Sequence, residues 1–227
     1  HFKLIEDIDL ADVEFFIIGN RILRFSSIFD GNGHTISNFN YTSTNINHTG
    51  LFGYIDGLYA EVKNLGLSDP NVVSMIEGYS NSIGSLVGRL ENGIISGCHV
   101  QNGSVSGSER NSTGGLAGIS YGAIIDCSVV CSVSGTARVG GLAGSSYGII
   151  TDCKSSGEVR GNEYVGGLMG SAEGTITKCS SSGDVSGNDS IGGLIGVNSG
   201  DVRYCYSSSD VLSSGWEAGG LAGVNRG

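Results

Sequence analysis

Along most of the chain, runs of three or four β-prone residues alternate with glycine, serine, asparagine and aspartate. No stretch sustains the i, i+3, i+4, i+7 apolar spacing of an amphipathic helix. The apolar positions recur in phase. Ile95, Ile124, Ile150, Ile176 and Val202 each stand three residues before a cysteine, at Cys98, Cys127, Cys153, Cys179 and Cys205. Val133, Val159, Val185 and Val211 each stand six residues after one. Val139, Val165 and Ile191 lead directly into Gly-Gly-Leu. Leu116, Leu142, Leu168 and Leu194 are 26 residues apart, and Leu221 follows after 27. Two unrelated residue types held to one period mark a solenoid, in which each repeat buries against the next what it cannot bury alone. The predicted fold is all-β: a right-handed parallel β-helix of about 26 residues per coil with roughly three short strands in each. Equivalent residues of successive coils then stack at the interstrand spacing of about 4.8 Å.

The period loosens toward the N-terminus. Ser85-Leu86-Val87-Gly88 lies 30 residues before the Leu116 copy, Gly50-Leu51-Phe52-Gly53 lies 35 before that, and Cys98 lies 29 before Cys127. One continuous domain with three regions is expected. Residues 1–49, richer in Phe and Ile, form a β-rich cap and the first strands. Residues 50–111 form irregular coils with loop insertions, and residues 112–227 form regular coils. Solenoids need caps because an exposed terminal coil is an adhesive strand edge. The chain opens at His1 and stops at Gly227 inside a repeat, so a fragment of a longer protein is expected.

Composition sharpens this picture. Forty glycines against one proline argue for tight turns between strands rather than collagen or a Pro-rich linker. Charged residues are only 15% of the chain, too few for charge-driven disorder. A net charge of −10 with 12 basic residues disfavours nucleic acid and anionic membrane surfaces. No apolar run approaches the roughly 18 residues of a membrane-spanning helix, so no membrane insertion is expected.

The segments Gly-Gly-Leu-Ala-Gly, Gly-Gly-Leu-Met-Gly and Gly-Gly-Leu-Ile-Gly at residues 140–144, 166–170 and 192–196 lead into Gly-Ile-Ile-Thr-Asp-Cys or Gly-Thr-Ile-Thr-Lys-Cys. Ser-Ser-Gly-Asp-Val-Ser-Gly follows at 181–187. Together they resemble the GLUG-repeat family. The opening Ile-Glu-Asp-Ile-Asp-Leu and the later Phe-Asp-Gly-Asn-Gly-His-Thr-Ile-Ser resemble the segment that precedes such repeats. The resemblance covers nearly the whole chain. It implies a large secreted or surface-anchored microbial protein, as in adhesins and the non-catalytic region of IgA-protease-type metallopeptidases. It implies no reaction, and the His-Glu-x-x-His zinc motif is absent.

Candidate chemistry is sparse. The ladder Cys98, Cys127, Cys153, Cys179 and Cys205 reads as free interior thiols. In-register Cβ atoms lie nearly 5 Å apart, whereas a disulfide wants about 3.5–4.5 Å. A disulfide is the alternative in an extracellular chain. Cys131 replaces the glycine found at Gly157 and Gly183. Glu158, Asp184 and Asp210 share one phase and are weak calcium candidates, a solvated face being the simpler reading. No other cofactor is implied. Asn40, Asn47, Asn102, Asn111 and Asn188 begin N-glycosylation sequons, with Asn111 and Asn188 expected to project from the turn before Gly-Gly-Leu. Asp126 and Asp152 stack in phase beside Lys178 and Arg203, but a solenoid aligns surface charges by construction, so no catalytic residue is assigned.

The expected function is that of a non-catalytic structural or adhesive module of a secreted or cell-surface protein, a rigid rod or filament-forming scaffold. Its expected partners are copies of itself or adjoining domains end to end, and host or matrix glycans. The alternative is a carbohydrate-binding or carbohydrate-active β-helix. Tyr121 and Tyr147, one period apart, would be its stacking platform, with Trp216, Tyr164, Tyr204 and Tyr206 as further material.

Overall fold

A computed structural model describes residues 1–76 and 81–227. Every strand pairing among these residues is parallel, and the described residues contain no helix. The pairings build four sheets that run the length of a solenoid. The first face has eight strands, one per coil, from Phe2–Lys3 through Ile149–Thr151 to Asp201–Arg203. The second face holds 13 strands and includes Ser128–Ser134. The third and fourth faces have seven each, represented in one coil by Ala137–Gly140 and Ala143–Ser146.

Each regular coil is divided more finely than three strands. One coil contains Ala137–Gly140, Ala143–Ser146, Ile149–Thr151, Lys154–Ser156 and Val159–Arg160. The extra breaks have local causes. Asp126, Asp152, Lys178 and Tyr204 occupy one column just before the cysteines, all with φ between 52° and 56°, a left-handed corner between the first and second faces. Gly157 (φ 133°) and Gly183 (φ 107°) bend the second face. Cys131 takes the place of that glycine one coil earlier, and there Ser128–Ser134 runs on as one unbroken seven-residue strand.

The interior consists of the columns that the period predicts. Ile95, Ile124, Ile150 and Ile176 pair in direct register, as do Val133, Val159, Val185 and Val211. Leu116, Leu142, Leu168 and Leu194 are fully buried, and each donates its backbone N–H to the next leucine's carbonyl, at 2.8–2.9 Å. Burial of each such side chain stabilises the fold by about 1.5–3 kcal/mol.

The three glycines of each repeat are required where the third and fourth faces meet. A Cβ at Gly140 would stand 2.6 Å from Met169 Cα, and one at Gly144 would stand 2.6 Å from the Ser112 carbonyl carbon. One at Gly141 would strike the Gly167 carbonyl oxygen. The obstacles are backbone atoms of neighbouring coils, which cannot turn aside as a side chain would. Gly-Gly-Leu-x-Gly is therefore a steric requirement of this edge.

Part of the looser period upstream lies in the turn before the third face. On the way into the third face, residues 107–111 separate Ser106 from Ser112, whereas only 135–137 separate Ser134 from Arg138. Residues 1–49, expected as a cap and the first strands, join the stack in register. Phe2 pairs with Phe29, Ile8 with Ile36, Ile18 with Phe52 and Phe25 with Ile55. Residues 1–27 thus form the first coil. Phe25 and Phe29 meet Phe52 at 4.9 and 5.4 Å, so aromatic rings fill this end where aliphatics fill the regular coils. At this end Ile5, Phe16 and Ile22 are 79–89% exposed.

Two substitutions test the packing. Gly167→Ala is expected to destabilise the chain by about 3 kcal/mol or more in urea unfolding. Gly220→Ala, in the same motif position with nothing within 4 Å of the added Cβ, should change stability by less than about 0.5 kcal/mol. Thr113 is fully buried with an unpaired Oγ1 in the column continued by Val139 and Val165. Thr113→Val should therefore raise stability by about 1 kcal/mol, seen as a higher Tm.

Candidate functional site

The most organised group of surface side chains sits on the fourth face and its corner with the first. Tyr54 and Arg89 pair across adjacent coils of the fourth face. The Arg24 guanidinium lies 5.2 Å from the Tyr54 ring centre, and Arg89 lies 5.7 Å from Tyr54 and 4.7 Å from Tyr121. Tyr121 then stacks on Tyr147 at 4.5 Å and 8°. Arginine and tyrosine thus alternate over several coils, each cation–ring contact contributing about 0.5–1 kcal/mol at such exposure. Carboxylates neutralise the arginines. Glu91 pairs with Arg89 at 2.6 Å and accepts the Tyr54 hydroxyl at 3.1 Å, and Asp56 pairs with Arg24. Hydrogen bonds from Asn92 and Arg24 hold the Asp56 carboxyl below the usual range, against partial desolvation.

At Tyr121 this geometry leaves no open ring face for the alternative, a sugar platform. A sugar docks its C–H groups on an open ring face. Here Tyr121 has Arg89 on one face and Tyr147 on the other, and one face of Tyr147 is taken by Tyr121. The other aromatic candidates do not join them. Tyr204, Tyr206 and Trp216 stand on the last coil, 63–83% exposed, and Tyr164 occupies a left-handed corner at φ 55°.

His48 borders this group. Its Nδ1 lies 2.7 Å from Ser82 Oγ, and its ring meets Tyr54 edge-on at 5.3 Å. Desolvation, followed by the positive charges of Arg89 and Arg21, pushes its pKa down to about 4.

The cysteines of the ladder are unpaired, Cys98, Cys127, Cys153 and Cys179 being buried and Cys205 half-buried. Each thiol donates to the carbonyl two residues back in its own coil, as Cys153 does to Thr151 at 3.2 Å. A second carbonyl one coil away, such as Ile124 for Cys153 at 3.6 Å, lies within reach. The neighbouring Cys127 thiol and burial push Cys153 up to about 12, and burial alone does the same for Cys131. These are inert core groups rather than nucleophiles.

The acidic column is assembled only in part. Asp184 and Asp210 pair in register, but Glu158 is ion-paired with Arg160 two residues on in its own coil. No three His, Cys, Asp or Glu side chains among the described residues are placed to hold a metal ion. Asp126, Asp152 and Lys178 are corner residues, while Arg203 pairs at 2.7 Å with Asp201 of its own strand. That grouping therefore does not form a shared site. Of the sequon asparagines, Asn40, Asn47, Asn102 and Asn188 are exposed. Asn111, expected to project, is instead fully buried, its amide 2.9 Å from Ser108 Oγ. The inserted turn 107–111 folds over it, where the shorter turn of the regular coils leaves Asn188 outside. The largest concavity among those described, 790 Å³, lies against the last two coils, lined by Ile195, Val202, Leu221 and Ala222 with Asn198 and Asp201.

The arginine–tyrosine ladder escaped the sequence pattern because Tyr54 and Arg89 are 35 residues apart, outside the 26-residue period. Only the register across the irregular coils brings them together.

Comparison with known proteins fits this geometry. The model of the GLUG motif matches residues 135–160 and 161–186, two consecutive coils. Residues 135–186 thus carry GLUG repeats. A Gly-rich membrane protein of Evansella cellulosilytica is 35% identical over 109 residues, which is 45% of this GLUG chain and 12% of that protein. The chain thus spans about an eighth of the length of that curated relative. A crystal structure of a Bacteroides ovatus protein, assigned as an immunoglobulin A1 protease, superposes on the whole GLUG chain and on 76% of its own, with a TM-score of 0.73 at 23% identity. That likeness concerns the fold. No helix among the described residues is long and apolar enough to cross a membrane.

Because His48 titrates at about 4 in the folded chain and near 6.5 when unfolded, the unfolded state takes up the proton first as pH falls. The stability contributed by neutral His48 is complete above about pH 6.5 and is lost progressively toward pH 4. Urea midpoints should fall across that window, and His48→Gln should flatten the slope.

Proposed function

We propose that this chain is a non-catalytic structural module of a larger secreted or cell-surface microbial protein, a stiff rod that spaces and presents what adjoins it. The observation that carries this reading is the parallel pairing of coil with coil among the described residues from Phe2 to Asn225. A stack paired in every coil resists bending. At about 4.8 Å per coil, eight coils span roughly 40 Å. Adjoining domains or further copies docked end to end would extend that reach. Charged side chains answer one another within a coil, as Glu158 answers Arg160 and Asp201 answers Arg203, rather than converging on a common point. The GLUG repeats and the likeness to the Bacteroides ovatus protein support an extracellular or surface address. An adhesive role fits a rod with a long lateral surface.

Two measurements test this reading. Small-angle scattering of the isolated chain should give a rod of constant cross-section about 40 Å long. Incubation with immunoglobulin A, casein and a panel of polysaccharides should release no product. Reproducible cleavage of any of them would overturn the non-catalytic assignment.

A further inference from the structure

The five sequons are not equivalent once the chain is folded. Asn40 lies on the outer side of the second face, in the strand Asn40–Ser43. Its Oδ1 accepts a hydrogen bond from Asn71 Nδ2 at 3.2 Å, which fixes the amide and turns its own Nδ2 away from that neighbour. Asn188 is held alike, its Oδ1 accepting from Ser214 Oγ at 3.2 Å in the turn between the second and third faces. Asn47 occupies the same turn in an early coil, beside the strand His48–Thr49. Asn102 protrudes from the bulge in His99–Ser106, at φ 56°. All four are exposed. Asn111 has no exposed surface, and Asn81, at 3% exposure, is buried in the same turn region.

We infer that this chain carries N-linked glycans at Asn40, Asn47, Asn102 and Asn188 and none at Asn111. The inference rests on the secreted address proposed above. The transfer forms a bond from the asparagine Nδ2 to the anomeric carbon of a lipid-diphosphate-linked oligosaccharide. The lipid diphosphate leaves, and Nδ2 gives up one proton. At the four exposed sites the product fits the fold. At Asn111 the sugar would have to expel the side chain from its packing against Ser108, so a chain modified there cannot close the turn 107–111.

The placement has a consequence. All four sites lie on the second face or in the turn that follows it, and none lies on the first or fourth face. Glycans would cover one side of the rod. The opposite corner, with Arg89, Tyr121, Tyr147 and the 54%-exposed Ile149, would stay bare and available for contact.

The test is expression of the chain behind a secretion signal in a eukaryotic host, followed by enzymatic deglycosylation in heavy-oxygen water and peptide mass spectrometry. In such a host the chain meets the transferase whatever its native address, so the outcome tests the geometry separately from the localisation. Labelled aspartate at three or more of Asn40, Asn47, Asn102 and Asn188, with Asn111 unlabelled in the secreted chain, is the expected result. Label at Asn111, or at two or fewer of the exposed sites, would overturn the inference. Asn111→Gln serves as a control, and its secreted yield should stay within twofold of the parent.

Discussion

The fold depends on how closely backbones approach along the edge where the third and fourth faces meet. At that edge the carbonyl of one Gly-Gly pair occupies the space that a side chain on the preceding pair would need, as Gly167 does for Gly141. Removing the Cβ atoms brings two sheets together with no side chains between them. Each leucine can then turn inward and pass its backbone hydrogen bond to the next coil. The entropic cost of so many glycines is considerable, at roughly 0.5–1 kcal/mol apiece relative to alanine. It is offset by leucine, isoleucine, valine and cysteine columns that exclude water almost completely.

The same constraint explains how much was legible in the sequence. The columns Ile95 to Val202, Val133 to Val211 and Leu116 to Leu221 could be traced by counting residues, because the coil length is fixed wherever the turns are short. The corner conformations could not, since Asp126, Asp152, Lys178 and Tyr204 share a left-handed φ but no side-chain chemistry. The phenylalanine-rich start read as a cap and first strands because its composition differs, and its pairing shows where those strands enter the stack. Asn111 read as a surface residue because it lies, like Asn188, in the turn before Gly-Gly-Leu, although it stands three residues before the motif and Asn188 four. Three-dimensional packing of an inserted turn reversed that expectation.

Surface columns behave differently from interior ones. A solenoid aligns equivalent side chains at the interstrand spacing whether or not they act together, so like charges in one column repel. The chain relieves this by pairing opposite charges two residues apart in one coil, as in Glu61 with Lys63, Arg89 with Glu91, and Asp201 with Arg203. Where the column is aromatic the stacking is favourable instead, and Tyr121 and Tyr147 lock together beneath Arg89. Such pairs hold irregular coils to regular ones, and they leave few charges free to converge on a substrate.

Native-state hydrogen exchange tests the central claim most directly. If the Gly-Gly-Leu edge holds the stack together, the amides of Leu116, Leu142 and Leu168 should exchange only through global unfolding. Turn amides such as that of Thr136 should exchange orders of magnitude faster. Leucine amides that exchange as fast as those turns would contradict the account.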